Sequence, residues 1–187
     1  KKDKSLGLFD KAFSIIKNTK FHIGSSTGID TVAAFCDKPM INPNTMLGNN
    51  FISRLYTYPT FIIPINLKYK NDRSIVPLSK QVKLLKYAEK NIFLHHLDIN
   101  LQNKFGVYYE TNSFSEIISC YEEYNYFLNN KFKLNKKFVN YQKKFWFIYP
   151  KIYKNKIKTN ITTTSNKYFG NVFIPCSYFD KYKNFLK

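Results

Sequence analysis

Residues 21–41 constrain the fold more than any other part of the chain, because they predict a strand, a turn of small residues, a short helix and a second strand in that order. The apolar residues before the turn favour a strand, and Gly24 and Gly28 permit sharp backbone angles. Lys38 and Pro39 end the helix. Apolar residues follow the turn at helical spacing, at Val32, Ala33 and Phe35. This order of elements predicts an α/β fold with a parallel sheet.

The turn itself predicts an anion site. A helix that begins near Thr27 would present its unpaired N–H groups and the positive end of its dipole above the first strand. Phosphate is the anion that such turns most often bind. The predicted phosphate-binding residues are Ser25, Ser26, Thr27 and Gly28.

Two other interpretations of the same turn remain open. Thr27 and Asp30 have the spacing of a capping box, in which both side chains bond to free N–H groups without any ligand. The turn also fits the G-x-S-x-G pattern of serine hydrolases, with Ser26 as the nucleophile. In that enzyme class the acid and the histidine follow along the chain, and Asp72 with His95 or His96 has this order.

The turn and its surroundings resemble the donor-binding half of GT-B glycosyltransferases, and more narrowly a group of uncharacterised bacterial proteins of that class. The similarity extends through the helices predicted near Ser79 and Ser113, about two thirds of the chain. It departs from the family at Val32, where many members have a glutamate that holds the ribose, and at Asp37, where glycine is usual. The matching segments are Gly24-Ser25-Ser26-Thr27-Gly28-Ile29, Ala33-Ala34-Phe35 and Lys38-Pro39-Met40-Ile41.

The resemblance implies a fold, a domain division and a ligand. The fold is a Rossmann-like three-layer α/β sandwich with a mostly parallel sheet, extended at its C-terminal end by helices and aromatic residues. Residues 1–130 form the donor-binding domain, and residues 131–187 pack on it. The turn at Ser25 to Gly28 receives the diphosphate of a nucleotide sugar. Further candidate donor contacts are Gly24, Asn42, Asn44, Glu110 and Thr111.

The resemblance also implies a partner. A GT-B enzyme has two such domains, and the acceptor site and the usual catalytic base lie largely in the N-terminal one. We therefore expect an N-terminal GT-B domain as the partner of this chain, and we name no catalytic residue within it. No cofactor is expected. A metal site at His95, His96 and Asp98 is not expected either, because adjacent histidines on an extended segment point to opposite faces.

The charge balance favours polyanionic partners. The 187 residues include 30 Lys and Arg against 12 Asp and Glu, a formal net charge of +18. A nucleotide-sugar donor, the anionic surface of a membrane and nucleic acid all fit this charge. The 15 Tyr and 18 Phe among the basic residues make a basic nucleic-acid-binding module the leading alternative function. No motif of the common nucleic-acid-binding folds is present, so nucleic acid ranks below the donor.

Several elements outside the turn are also predicted. In residues 49–66 the aromatic residues with Pro59 and Pro64 favour a loop and an edge strand over a helix. Ser79 is the expected cap of a basic helix. Ser113 and Glu116 predict a capping box. A last helix near residue 177 is expected to expose Tyr178, Phe179, Tyr182 and Phe185. Dispersed cysteines and the lack of a long apolar segment predict a cytoplasmic protein, peripheral to the inner face of the cell membrane where it meets anionic lipid.

Overall fold

A computed structural model describes residues 7–24, 28–48, 59–92, 96–130, 135–149 and 172–187. Its helices are α1 (Leu8–Asn18), α2 (Gly28–Phe35), α3 (Leu78–Ile92), α4 (Ile99–Phe105), α5 (Phe114–Asn129), α6 (Lys136–Ile148) and α7 (Cys176–Lys181). Its strands are β1 (His22–Ile23), β2 (Met40–Thr45), β3 (Thr60–Pro64), β4 (Asn66–Tyr69), β5 (Val107–Glu110) and β6 (Val172–Phe173).

Strands β1, β2, β3 and β6 form a four-stranded sheet in that spatial order, and all neighbouring pairs are parallel. His22 and Ile23 are in register with Met40 and Ile41. With its helices, the sheet makes the Rossmann-like α/β fold that the sequence predicts. All four strands end at one side of the sheet, which we call the carboxyl edge. In folds of this kind ligands bind outside that edge.

The β1–α2–β2 unit has the predicted order of elements. Helix α2 begins at Gly28, one residue after the expected start. Val32 and Ala33 are buried in the core, whereas Phe35, expected on the same apolar face, is 82% exposed. Val32, the position at which the chain departs from the family that it resembles, thus faces the core.

Strand β3 lies in the middle of the sheet, so the prediction of an edge strand is wrong. All five of its residues are buried. Pro64 is tolerated because it is the last residue of the strand, next to a register shift between Asn42 and Thr45. The following N–H group, that of Ile65, donates to the carbonyl of Thr45 at 3.0 Å. The missing N–H of proline therefore costs the sheet little.

Strands β4 and β5 form a separate antiparallel pair. The strand predicted to end at Glu110 is thus present, but it lies outside the parallel sheet. This strand, β5, begins just after the end of α4. Asp98 caps the N-terminus of α4, where its side chain accepts from the N–H of Leu101. Gly106 ends α4 in the left-handed conformation, with a φ of 63°. This arrangement places Glu110 opposite Asn66, just after the end of β3.

The main core combines residues from both sides of residue 130. The ring of Phe61 on β3 lies within 4.7–6.1 Å of the rings of four neighbours. These neighbours are Tyr124, Phe127, Phe138 and Phe173. Burying one such ring contributes about 1.5–3 kcal/mol relative to exposure. The C-terminal helical and aromatic extension therefore packs on the same core as the parallel sheet.

The last helix is present as α7, but the prediction that it exposes its aromatic residues is wrong. Tyr178, Phe179 and Phe185 are at most 2% exposed, and Tyr182 is half-buried. These rings fill the space between α5, α6 and α7, which a periodicity argument cannot foresee. Ser79 is not a cap either, because α3 begins at Leu78 and the Ser79 hydroxyl donates to the carbonyl of Lys187. None of the described helices is long and apolar enough to cross a bilayer.

Candidate functional site at the carboxyl edge

Gly24 directly follows β1 at the carboxyl edge, and its surroundings leave no room for a side chain. Its N–H donates to the carbonyl of Ile41 at 3.1 Å. A Cβ atom there would lie 1.7 Å from Oδ1 of Asp30 and 2.5 Å from Nε2 of His22. Glycine at this position thus allows the Asp30 and His22 side chains to approach the backbone closely.

His22 and Asp30 join β1 to the first turn of α2. Nε2 of His22 lies 2.6 Å from Oδ1 of Asp30, and the aspartate side chain is fully buried. A carboxylate in the first turn of a helix interacts favourably with the helix dipole. Sequence reasoning considered Asp30 only as a capping partner of Thr27. The contact with His22 had no signal in the sequence, because it depends on how α2 lies relative to β1.

The structure describes only one of the four predicted phosphate-binding residues. Ser25, Ser26 and Thr27 lie outside the described residues, and Gly28 is the first residue of α2. The start of α2 therefore lies next to the end of β1, as the sequence predicts. The capping-box interpretation, which needs Thr27, stays a prediction.

Asn44 and Asn112 hold two segments of the carboxyl edge together. The N–H of each residue donates to the side-chain Oδ1 of the other, at 2.6 Å in both cases. Nδ2 of Asn112 also donates to the carbonyl of Pro64 at 2.9 Å. Asn44 adopts the left-handed conformation, with a φ of 55°. The end of β2, the end of β3 and the loop before α5 are therefore fixed to one another.

The remaining candidate donor contacts lie close by but differ in environment. Asn42 is buried on β2, and its carbonyl accepts from Oγ1 of Thr45 at 2.9 Å. Glu110 forms an ion pair with Nζ of Lys68 across the β4–β5 pair. Thr111 is exposed, directly before Asn112. The structure thus brings the predicted residues to one edge, and it gives Asn44 and Glu110 partners within the protein.

Glu116 is the centre of a polar network that sequence reasoning recognised only as a capping box. The box is present, since the Ser113 hydroxyl accepts from the Glu116 N–H and the Glu116 carboxylate accepts from the Ser113 N–H. The same carboxylate accepts from the Tyr182 hydroxyl at 2.8 Å and lies 3.3 Å from Nζ of Lys181. Burial raises the pKa of Glu116, but these hydrogen bonds and the Lys181 charge outweigh it and leave the pKa below its ordinary value.

The serine-hydrolase interpretation stays a prediction, because Ser26 and His95 lie outside the described residues. Asp72 lies in the turn that follows β4, where its Oδ1 accepts from the N–H and the hydroxyl of Ser74. The four residues of β4 span about 10 Å between Asn66, next to the carboxyl edge, and this turn. His96 is half-buried.

Comparison with protein families, with curated proteins and with solved structures finds no match for this chain. Among the described residues, no group of three or more His, Cys, Asp or Glu side chains is arranged to hold a metal ion. The described groups at the carboxyl edge are the start of α2, the His22–Asp30 pair, the amides of Asn44 and Asn112, the Thr111 hydroxyl and the Lys68–Glu110 pair. Such groups bind anionic and hydroxylated ligands.

Proposed function

We propose that this chain binds the diphosphate of a nucleotide-activated sugar at the turn between β1 and α2, as the donor-binding half of a glycosyltransferase of GT-B type. The observation that carries the proposal is the arrangement of the elements on either side of this turn. Strand β1 belongs to an all-parallel sheet, and α2, a helix of eight residues, begins next to the carboxyl edge. A diphosphate above the turn would accept from N–H groups of the first turn of α2.

The proposal assigns different roles to the predicted contacts. Ser25, Ser26, Thr27 and Gly28 contact the phosphates, and Gly24 leaves space for the His22 and Asp30 side chains beside the turn. Asn44 and Glu110 act as positioning residues, because their side chains already bond to Asn112 and Lys68. Asn42 and Thr111 are the candidate contacts to the rest of the donor.

Within this proposal, transfer depends on a partner. Electrostatic stabilisation of the departing diphosphate is the contribution that this chain makes to catalysis. The acceptor site and the catalytic base would belong to an N-terminal GT-B domain. The net charge of +18 would draw both a phosphorylated donor and an anionic membrane surface towards the assembly.

Calorimetric titration with UDP, GDP and CMP in moderate salt tests the proposal. Pyrophosphate and duplex DNA serve as comparison ligands. Gly28→Asp places a negative charge in the first turn of α2, and Asn71→Asp adds the same charge at an exposed position of the turn that follows β4. We expect saturable binding of one nucleotide, at least about tenfold weaker in Gly28→Asp and unchanged in Asn71→Asp.

The donor site is overturned if every polyanion binds with similar affinity and this affinity falls steeply with salt but does not change in Gly28→Asp. It would support a general polyanion surface, of which a nucleic-acid-binding module is one form. Labelling of Ser26 by a fluorophosphonate would instead support the hydrolase.

A further inference from the structure

A second candidate site lies between α5 and α7, where a pocket of about 200 Å³ opens above β3. Ile63 of β3 and Pro175, just after β6, form its apolar side. The volume equals about seven water molecules at roughly 30 Å³ each, which is the size of a small ring compound. The turn at β1 is two strands away, about 10 Å at the usual spacing, so the two sites are distinct.

Tyr178 supplies a buried polar group that lacks a partner. The side chain lines the pocket and is 2% exposed, and its hydroxyl makes no hydrogen bond to any residue that the structure describes. Its ring is held by contacts with the rings of Phe179, Tyr182 and Phe185. A buried hydroxyl without a partner is costly and uncommon in native proteins, so a ligand that bonds to it would remove this cost.

The charged groups around the pocket are largely satisfied within the protein. Glu116 accepts from Ser113 and Tyr182 and lies next to Lys181. The carboxylate of Glu123 accepts from the N–H groups of Cys176 and Ser177, at 2.7 and 3.0 Å. Glu116 and Lys181 are the charged residues that line the pocket, and their charges balance, so the pocket offers no net positive charge to an anionic ligand. A cationic ligand would have to displace Lys181 from Glu116.

The groups that remain for a ligand are mainly hydroxyls. Ser115, Ser119 and Ser177 line the pocket together with Tyr178. Hydroxyl groups both donate and accept, so they match the hydroxyl groups of a ligand without fixing its charge. Lys181, whose side chain is 45% exposed, adds an N–H donor at the rim. An apolar floor with hydroxyls on the walls suits a ring that has apolar faces and a hydroxylated edge.

We propose that this pocket binds a neutral polyhydroxylated ligand of monosaccharide size, with the Tyr178 hydroxyl as a buried hydrogen-bond partner. The proposal does not depend on nucleotide binding at the β1 turn. A ligand of about a dozen heavy atoms is expected to bind with millimolar affinity.

Saturation-transfer NMR on the full chain measures such weak binding directly. The probes are glucose, galactose, N-acetylglucosamine and myo-inositol, with inorganic phosphate and glycine as charged comparisons. Tyr178→Phe removes only the hydroxyl and should weaken binding about five- to tenfold, the loss of one hydrogen bond. Ser119→Leu should abolish binding by filling the pocket. Tyr126→Phe and Ser14→Leu make the same changes at exposed positions of α5 and α1, and binding should not change.

Thermal unfolding separates lost binding from lost structure. Without ligand, Tyr178→Phe should be as stable as the parent chain or more so, because it removes an unsatisfied buried group. Gly28→Asp should retain saccharide binding even if it loses nucleotide binding, so the two proposals can fail separately. The proposal is overturned if no neutral probe binds saturably, if phosphate or glycine binds more tightly, or if Tyr178→Phe binds like the parent.

Discussion

Asp37 adopts a backbone conformation that suits glycine better, with a φ of 50°. It follows α2, where the N–H of Asp37 donates to the carbonyl of Ala34 and the N–H of Lys38 donates to that of Ala33. This pair of bonds is the Schellman motif, whose left-handed position is usually glycine. Glycine is usual at this position in the family that the sequence resembles. The Asp37 that stands here instead must therefore adopt a backbone conformation that favours glycine.

We expect Asp37→Gly to raise the free energy of unfolding by about 0.5–1 kcal/mol. The left-handed conformation costs a residue with a Cβ about 1–2 kcal/mol, and the greater freedom of glycine in the unfolded chain offsets part of the gain. Asp37→Ala removes the same side chain but keeps the Cβ, so it should not stabilise. Denaturant titration of the three proteins measures the effect, and equal gains in both variants would contradict the backbone explanation.

Gly24 allows a second prediction for a single residue. Gly24→Ala should destabilise the chain by about 1–3 kcal/mol, because the added Cβ would overlap Oδ1 of the buried Asp30 and force the His22–Asp30 contact to shift. Gly7→Ala is the matched control, since its Cβ would meet only Oδ2 of Asp10 at 3.4 Å. Alanine caps a helix less well than glycine but has less freedom in the unfolded chain, so the two effects offset and the change should be a few tenths of a kcal/mol. Similar unfolding midpoints for the two variants would show that Gly24 is not tightly packed against Asp30.

At the scale of elements, local signals predicted what depends on neighbouring residues. The β1–α2–β2 order and the Ser113–Glu116 capping box follow from short patterns, and both are present. Helix α4 was missed although its signals are in the sequence, with Asp98 as the cap and Gly106 at the end. The pairing of β5 with β4 had no such signal, because it joins residues about 40 positions apart by backbone bonds that any sequence can make.

The start of α5 gives a prediction about pH. The pKa of Glu116 is lower in the folded chain than in the unfolded chain, where it is about 4.3. The Glu116 carboxylate therefore stabilises the fold fully at pH values above this unfolded pKa. That contribution is lost as the pH falls through the folded pKa. We therefore expect Glu116→Gln to be less stable than the parent at neutral pH, with a difference that narrows below about pH 4.

Melting temperatures across a pH series measure this difference. Glu122→Gln removes one negative charge from an exposed position of the same helix, and it controls for the change in net charge. The parent should lose its advantage over Glu116→Gln only in the acidic range. If the difference in melting temperature between the parent and Glu116→Gln stays constant from pH 7 to about pH 3, the shape of the side chain, rather than its charge, stabilises α5.

At the scale of the whole molecule, the least predictable feature was the place of the C-terminal segments. Strand β6 pairs with β3 in parallel, and Phe173 lies next to Phe61. Their sequence separation exceeds that of any local pattern, so hydrophobic periodicity could identify the α7 aromatics but not what would cover them. The same reason kept the α5–α7 pocket out of the sequence analysis, since its walls come from distant segments.

The shared core implies that residues before and after position 130 unfold together. Trp146 on α6 is the single tryptophan of the chain, so its fluorescence reports on the C-terminal segments, while far-UV circular dichroism reports on all helices.

Ile41→Val on β2 removes one methylene from a fully buried side chain and should cost about 1 kcal/mol. Ile23→Val changes its partner on the adjacent strand, which is 43% exposed, and should cost less. Ile41→Val should shift both signals to the same lower denaturant midpoint, because one cooperative unit responds as a whole. If the Trp146 midpoint stays in place while the dichroism shifts, residues 135–187 form an independent unit.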